Sequence, residues 1–457
     1  MNYIELIDSQ KFLLKSQVTK SVSFRKNSLK KLLKNININE EQIYQSLKKD
    51  LNKPEYESYI TEVYVIKKEI KTMLKNINRW SKIKNIKSSI INFPSKDYII
   101  PEPYGTTLLI SPWNYPFQLA LGPLIGAVAS GNTVILKPSE HAENTSRLVE
   151  KIITDSFNKN HVCVILGDSK VATELLSNRW DYIFFTGSTN VGKIIAKAAA
   201  IHLTPYTLEL GGKNPCIVDK TIPIKLTAKR IIWGKFLNCG QTCIAPDFII
   251  AHSSIIKALS NELIIEIKNA FGNNPIESKS YGRIINTKHI VRLEKMLQNV
   301  NIIHGGTVNC ETKYIEPTIV LEPSLSSELM KVEIFGPILP IISYDTDEDL
   351  DIILNKYEKP LGFYIFSKRN SFIKKIQLKY SFGGGVANDT IIQFTNDKLP
   401  FGGVGHSGMG SYHGKFSFDL FTHYKPFIKK SLWLDLWVRY APYPVKFKLI
   451  KKILNKI

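Results

Sequence analysis

The sequence predicts an α/β protein with two doubly wound parallel sheets, and three observations carry that expectation. The chain has 457 residues, which at about 150 residues per domain allows two or three domains. From Tyr104 onward short apolar runs alternate with helical stretches, the pattern of βαβ units with helices on both faces of a sheet. Hydrophobic residues make up 44% and charged residues 22%, ordinary globular usage that excludes disorder and collagen-like repeats. A chain this long buries a large core without disulfide or metal staples.

Taken in order, residues 1–80 read as helices, because Glu62, Val65, Ile66, Glu69, Ile70 and Met73 follow helical spacing. Pro94, Pro101 and Pro103 then punctuate an extended stretch with the pattern of a protruding hairpin. The first strand series is TTLLI (106–110), TVILK (133–137), VCVIL (162–166), YIFFT (182–186) and TLEL (207–210). Helices at 117–130, 141–157, 169–178 and 190–201 fall between these strands. A second series runs from about 225 to 395 and includes FIIAH (248–252) and FYIFS (363–367), so the two α/β units join near residue 210. No short repeat period is present, which argues against solenoids and propellers.

Charge is the unusual quantity. Lys and Arg number 61 against 40 Asp and Glu, a formal net charge of +21. Such a balance favours anionic partners: nucleic acid, membrane surfaces or phosphorylated ligands. No zinc finger or RNP-type segment accompanies it, and the lysines are spread along the chain, which fits a solvated basic surface. Five cysteines without a CxxC pair argue against a disulfide framework or zinc site and for a reducing, cytoplasmic compartment. MNYIELIDSQKFLLKSQ lacks the apolar run of a signal peptide, and no stretch reads as a transmembrane helix.

Several segments carry chemistry. GSTNVGK (187–193) follows a strand and opens a helix, exposing backbone N–H groups and a positive dipole end that suit a phosphate. It is neither a Walker A loop, since Ile194 stands where Ser or Thr is needed, nor GxGxxG, since Thr189 replaces the middle glycine. An ordinary strand-to-helix turn remains the competing reading. In NCGQTC, Cys243 follows a tight turn and has the features of a thiol nucleophile, whereas most cysteines are inert buried hydrophobes. In LELGGKNP, Glu209 ends an apolar strand, where a carboxyl has a raised pKa and can serve as a general base; capping the turn is the alternative. EIFGP places Glu333 before Phe335 and a Gly-Pro turn. SPWNYP holds Asn114 between Trp113 and Tyr115, where an amide can donate to an oxyanion or simply form the turn.

Their order is more telling than any one of them. PWNYP, KPSE (137–140), FTGST (185–189), LELGGK (208–213), GQTC (240–243) and EIFGP (333–337) together resemble the aldehyde dehydrogenase superfamily, from about residue 50 to 425. The short N-terminus and SGMGSYHGKFSFDLFTH (407–423) resemble its class 3 branch, which includes the fatty aldehyde dehydrogenases.

The resemblance implies that Cys243 attacks the aldehyde as nucleophile and forms a thiohemiacetal, with Asn114 and the Cys243 N–H stabilising the oxyanion. Hydride passes to the nicotinamide, and Glu209 activates the water that releases the acid. Glu333 shares or takes that task, or binds the nicotinamide ribose with Phe335 packing near the ring. Lys137 and Glu140 match positions for the adenosine ribose hydroxyls, and Gly187, Ser188 and Gly192 the pyrophosphate turn. Glu140 favours NAD over NADP, which stays open. No metal is implied. His413 matches a class 3 position for which packing is the reading. Cys239 is read as packing too, with a Cys239–Cys243 disulfide as the alternative.

The expected organisation is an NAD(P)-binding domain (1–80 and 100–208), a catalytic domain (209–395) and a small β bridging or oligomerisation element (81–99 and 396–425), in a homodimer. Residues 426–457 form a basic helical tail. From Lys425 onward nine Lys or Arg against Asp435 alone give a local excess of +8. On a helical wheel Val445, Leu449, Ile450, Ile453, Leu454 and Ile457 share a face, as in a helix lying on an anionic membrane; packing on the enzyme is the alternative. Substrates then read as lipid-derived, medium- to long-chain aldehydes. The competing functions are a CoA-acylating aldehyde dehydrogenase, which lacks the glutamate of LELGGK, and a nucleic-acid-binding protein.

Overall fold

Parallel strands buried on both faces are near-continuous apolar runs, and the computed structural model bears this out at TTLLI, TVILK and YIFFT, where every residue is buried. The structure describes residues 3–435, 439–443 and 447–455. The first sheet has the order Gly408–Met409, Tyr206–Glu209, Tyr182–Thr186, Thr106–Ile110, Thr133–Lys137, Val162–Val164. All its strands are parallel except Gly408–Met409, which runs antiparallel with Gly408 opposite Glu209. Helix Gln118–Ser130 follows Thr106–Ile110, Glu143–Ser156 follows Thr133–Lys137, and Thr189–Ile201 follows Tyr182–Thr186. Gln118–Ser130 is buried on every side. Gly126 permits this, because a Cβ there would lie 2.8 Å from Ser417 Cβ.

The second sheet has seven strands: Ile302–His304, Thr318–Leu321, Ile338–Tyr344, Phe248–His252, Pro215–Val218, Gly362–Phe366 and Gly384–Ala387. Only Ile302–His304 is antiparallel to its neighbour. The chain passes from the first sheet to the second through residues 210–214, between Tyr206–Glu209 and Pro215–Val218.

A third, antiparallel sheet contains Lys84–Ile86, Ser95–Pro103 and Thr422–Lys430. Thr422 pairs with Pro103 and the register continues to Lys430 opposite Ser95. Residues 426–430, read from sequence as the start of the tail, are thus the far half of this strand. A helix does form at Phe447–Leu454. Val445, Lys446, Lys456 and Ile457 of the expected wheel lie outside the described residues. Among the described residues, no helix is long and apolar enough to cross a membrane.

Candidate active site

Three parallel strands deliver their ends to one place. Thr106–Ile110 leads to Asn114, Tyr182–Thr186 to Gly187 and Ser188, and Tyr206–Glu209 ends on Glu209 itself. Thr106–Ile110 has Thr133–Lys137 on one side and Tyr182–Thr186 on the other, so the strand order reverses there, where a crevice for a ligand opens in such sheets. A cavity of about 760 Å³ occupies it, lined by Asn114, Gly187, Ser188 and Glu209 from the first unit and Cys243, Glu333 and Phe335 from the second.

Side chains from distant segments hold the Cys243 turn. Asn238, Cys239 and Gly240 all have left-handed backbone, with φ of 51°, 56° and 74°. A Cβ at 240 would lie 2.3 Å from the Gly336 carbonyl oxygen, so this turn and EIFGP approach only because the residue is glycine. Gln241 Nε2 donates to the Asn238 and Arg283 carbonyls at 3.1 and 3.0 Å, and its Oε1 accepts from Ile285 N at 3.1 Å. Tyr115 and Thr242 share a hydroxyl–hydroxyl bond of 2.6 Å. Asn214 Nδ2 donates to the carbonyls of Cys243 (2.8 Å) and Ala245 (3.0 Å). In a trans peptide the C=O and the following N–H point in opposite directions. Holding the Cys243 carbonyl on Asn214 therefore turns the Ile244 N–H back toward the sulfur, which has the N–H groups of Cys243 and Ile244 beside it.

Electrostatics make this a site of neutral groups awaiting a proton transfer. Burial pushes the Cys243 thiol up to about 12, and Glu333 and Glu209 add to the rise against the pull of the two N–H groups. Glu209 is buried with neither carboxyl oxygen hydrogen-bonded, and that desolvation alone raises its pKa well above the usual range. Glu333 is raised to about 8, first by burial and then by Asp247, against the Gly212 N–H, Arg292 and Lys213. Its oxygens lie 2.4 Å from where a Cβ of residue 211 would be, so the second face of the cavity closes on bare glycine backbone. Among the described residues no cluster of His, Cys, Asp or Glu is placed to hold a metal.

The EIFGP segment is clamped through Ile334. Asp247 Oδ1 accepts from its N–H at 3.0 Å and Arg292 Nη2 donates to its carbonyl at 2.7 Å. Lys213 pairs with Asp247 at 2.5 Å and donates to the Leu329 carbonyl at 2.6 Å. Phe335, at φ 48°, meets Trp113 edge-on at 5.4 Å, joining this segment to the Asn114 turn. Asn214, Asp247 and Arg292 were missed from sequence. The only signal for Asn214 and Asp247 was a polar residue directly before the strands Pro215–Val218 and Phe248–His252, and Arg292, inside the helix Thr287–Met296, had none.

Of the expected cofactor residues, Ser188 caps Thr189–Ile201, its Oγ accepting from Val191 N at 3.4 Å. Gly187 lets the turn pass the Phe185 ring, which a Cβ would meet at 2.4 Å. Lys137 and Glu140 pair with each other at 2.7 Å and do not line the cavity. Gly192 does not line it either; a Cβ there would lie 2.9 Å from Leu210, so this glycine brings helix and strand together. A dinucleotide fits this surface: the cavity lining holds a helix N-terminus for pyrophosphate, Lys193 and the Trp113–Phe335 aromatic pair. Cys239 is buried outside the cavity lining, and all five cysteines are free. The His413 ring packs against Phe394 at 4.2 Å and Tyr412 at 4.5 Å, and burial lowers its pKa to about 3.

The Aldehyde dehydrogenase family matches residues 14–427. The chain is 46% identical over 455 residues to a 4,4'-diaponeurosporen-aldehyde dehydrogenase of Staphylococcus aureus, covering 99% of each chain. It is 43% identical over 414 residues to an aldehyde dehydrogenase family 3 member A2 of Macaca fascicularis, covering 91% of this chain and 85% of the relative. A solved structure, the substrate-bound state of Staphylococcus aureus AldH, has a TM-score of 0.97 at 46% identity and spans 99% of this chain and 100% of its own.

Proposed function

The chain belongs to the aldehyde dehydrogenase family, as an enzyme with family 3 relatives, and we propose that it oxidises lipid-derived, medium- to long-chain aliphatic aldehydes with Cys243 as nucleophile. The observation that carries this reading is one cysteine, two poorly partnered carboxyls and one amide donor in a single cavity.

In this reading the Cys243 thiol gives its proton to a cavity carboxylate and its sulfur bonds to the aldehyde carbon. The carbonyl oxygen takes the negative charge, which the Asn114 amide and the Cys243 N–H stabilise. When bound, NAD(P)+ supplies the hydride acceptor. The N-terminus at Gly187 and Ser188 would hold its pyrophosphate, Lys137 and Glu140 its adenosine ribose, and Glu333 with Phe335 its nicotinamide end. Glu209, with Glu333 sharing the task, takes a proton from the water that attacks the thioester carbon; the C–S bond breaks, the acid leaves and the thiolate regains its proton. Burial raises the Glu140 pKa, but the Lys137 hydrogen bond, its own backbone N–H and the charges of Lys137 and His141 together lower it, and the resulting carboxylate favours NAD over a 2′-phosphate.

Support for apolar substrates comes from the relative named for 4,4'-diaponeurosporen-aldehyde and from the basic C-terminal segment, for which we propose peripheral contact with anionic membrane. Support for a homodimer comes from Thr422–Lys430, a sheet-edge strand exposing Phe427 and Ile428. Cys243→Ala is expected to abolish aldehyde-dependent NAD(P)H formation, and retained activity would exclude the mechanism. Initial rates from acetaldehyde to hexadecanal, with both cofactors, test the substrate class: kcat/KM rising with chain length supports it, and a preference for the shortest aldehydes removes it.

A further inference from the structure

The hydrogen bonds around Asn114 specify which way its amide faces. Asn114 Nδ2 donates one proton to the Gln241 carbonyl at 3.1 Å, which leaves its second proton with a fixed direction in the amide plane. The same carbonyl accepts from Asn238 Nδ2 at 3.2 Å, so both of its lone pairs are used. Asn238 Nδ2 also donates to the backbone carbonyl of Asn114 at 2.7 Å. A single amide thus joins the Asn114 main chain to the acceptor that orients the Asn114 side chain.

Asn238 is itself held at every polar backbone group. Its N–H donates to Glu57 Oε1 at 2.8 Å, and its carbonyl accepts from Gln241 Nε2 at 3.1 Å. Its φ of 51° is a conformation that asparagine tolerates better than most residues. Asn114, Asn238 and Gln241 are all buried, so water does not compete for these bonds. A bond lost here leaves a buried carbonyl unpaired and lets the Asn114 amide turn.

We propose that Asn238 is a positioning residue that aims the free N–H of the Asn114 amide into the cavity it shares with Cys243, toward the place of the substrate carbonyl oxygen, coupling the oxyanion donor to the nucleophile turn. The inference rests on Asn114 as oxyanion donor and Cys243 as nucleophile. It predicts that Asn238 acts only through Asn114, which a residue that merely shapes the turn would not do.

Asn114→Ala, Asn238→Asp and the double variant of the full chain test it. Aspartate keeps the size and the left-handed preference but sets an acceptor against two carbonyl oxygens. Two rates are read: kcat/KM for an aldehyde, and alkylation of Cys243 by iodoacetamide, which needs the thiol but no oxyanion donor. Asn114→Ala should lower kcat/KM about 100- to 1000-fold, and Asn238→Asp about tenfold or more. Alkylation should stay at the wild-type rate in both, and the double variant should be no slower than Asn114→Ala alone. Losses that multiply in the double variant, or alkylation falling in step with turnover, would overturn the inference. Wild-type turnover in Asn114→Ala would instead remove the catalytic reading beneath it. Asn238→Gly keeps the backbone conformation and deletes the amide; it is read by the same criteria if the aspartate variant does not fold.

Discussion

Turnover should climb steeply with pH, and Glu333→Gln should flatten that climb. Glu333 is buried against the Gly211 backbone, with Asp247 nearby, and its carboxyl is raised from 4.5 to about 8. At pH 7 only about one molecule in ten then carries the carboxylate, and each further unit downward costs another factor of about ten. A carboxyl at its ordinary value would be ionised throughout this range and would give no slope. The same shift predicts a stability effect of opposite sense. Between 4.5 and about 8 the native state keeps a proton that the unfolded chain has released. Stability therefore falls as pH rises through that window, by on the order of 5 kcal/mol at about 1.36 kcal/mol per unit. Glu333→Gln carries no such proton, so its melting temperature relative to wild type should rise with pH. The assay is initial NAD(P)H formation from a saturating aldehyde between about pH 6 and 9, with thermal melts in the same buffers. A flat wild-type profile would refute the argument. An unchanged limb in Glu333→Gln would assign the titration to Glu209.

Three other outcomes follow from the structure. Glu62→Ala should destabilise the fold by about 3–5 kcal/mol in denaturant melts, because Lys53 is then left charged and buried without its 2.5 Å partner; the Phe117 and Gln118 N–H groups lose their acceptor as well. Glu209→Gln should accumulate a covalent acyl-enzyme on Cys243, visible by mass spectrometry, while wild-type rates stay the same with and without CoA; a CoA requirement would reverse the hydrolytic reading. Full-length protein should sediment with anionic liposomes at low salt and remain in the supernatant once the residues after Ser431 are deleted. Full-length protein left in the supernatant would remove the membrane contact.

Much of the architecture was readable because parallel strands buried on both faces carry a local signature. The strands at 106–110, 133–137, 182–186 and 248–252 lie where their apolar runs begin and end. VCVIL stops early, at Val164, and residues 426–430 continue a strand instead of opening a tail, because both limits are set by the neighbouring chain. The pairing of Gly408 with Glu209 was also out of reach: a two-residue strand has no periodicity, and its partner lies in the other half of the sequence.

The candidate site divides in the same way. By itself the sequence determined the chemical inventory, since a thiol, two carboxyls and an amide beside turn-forming glycines and prolines are local properties of the chain. Tertiary structure decided their state and aim. Asn114 and Gln241 are 127 positions apart, yet one hydrogen bond between them orients the amide. The raised values of Cys243, Glu209 and Glu333 come from burial by segments on both sides of the cavity. Desolvation and hydrogen-bond direction depend on what surrounds a group in space, and a linear order of residues specifies that only once the chain has folded.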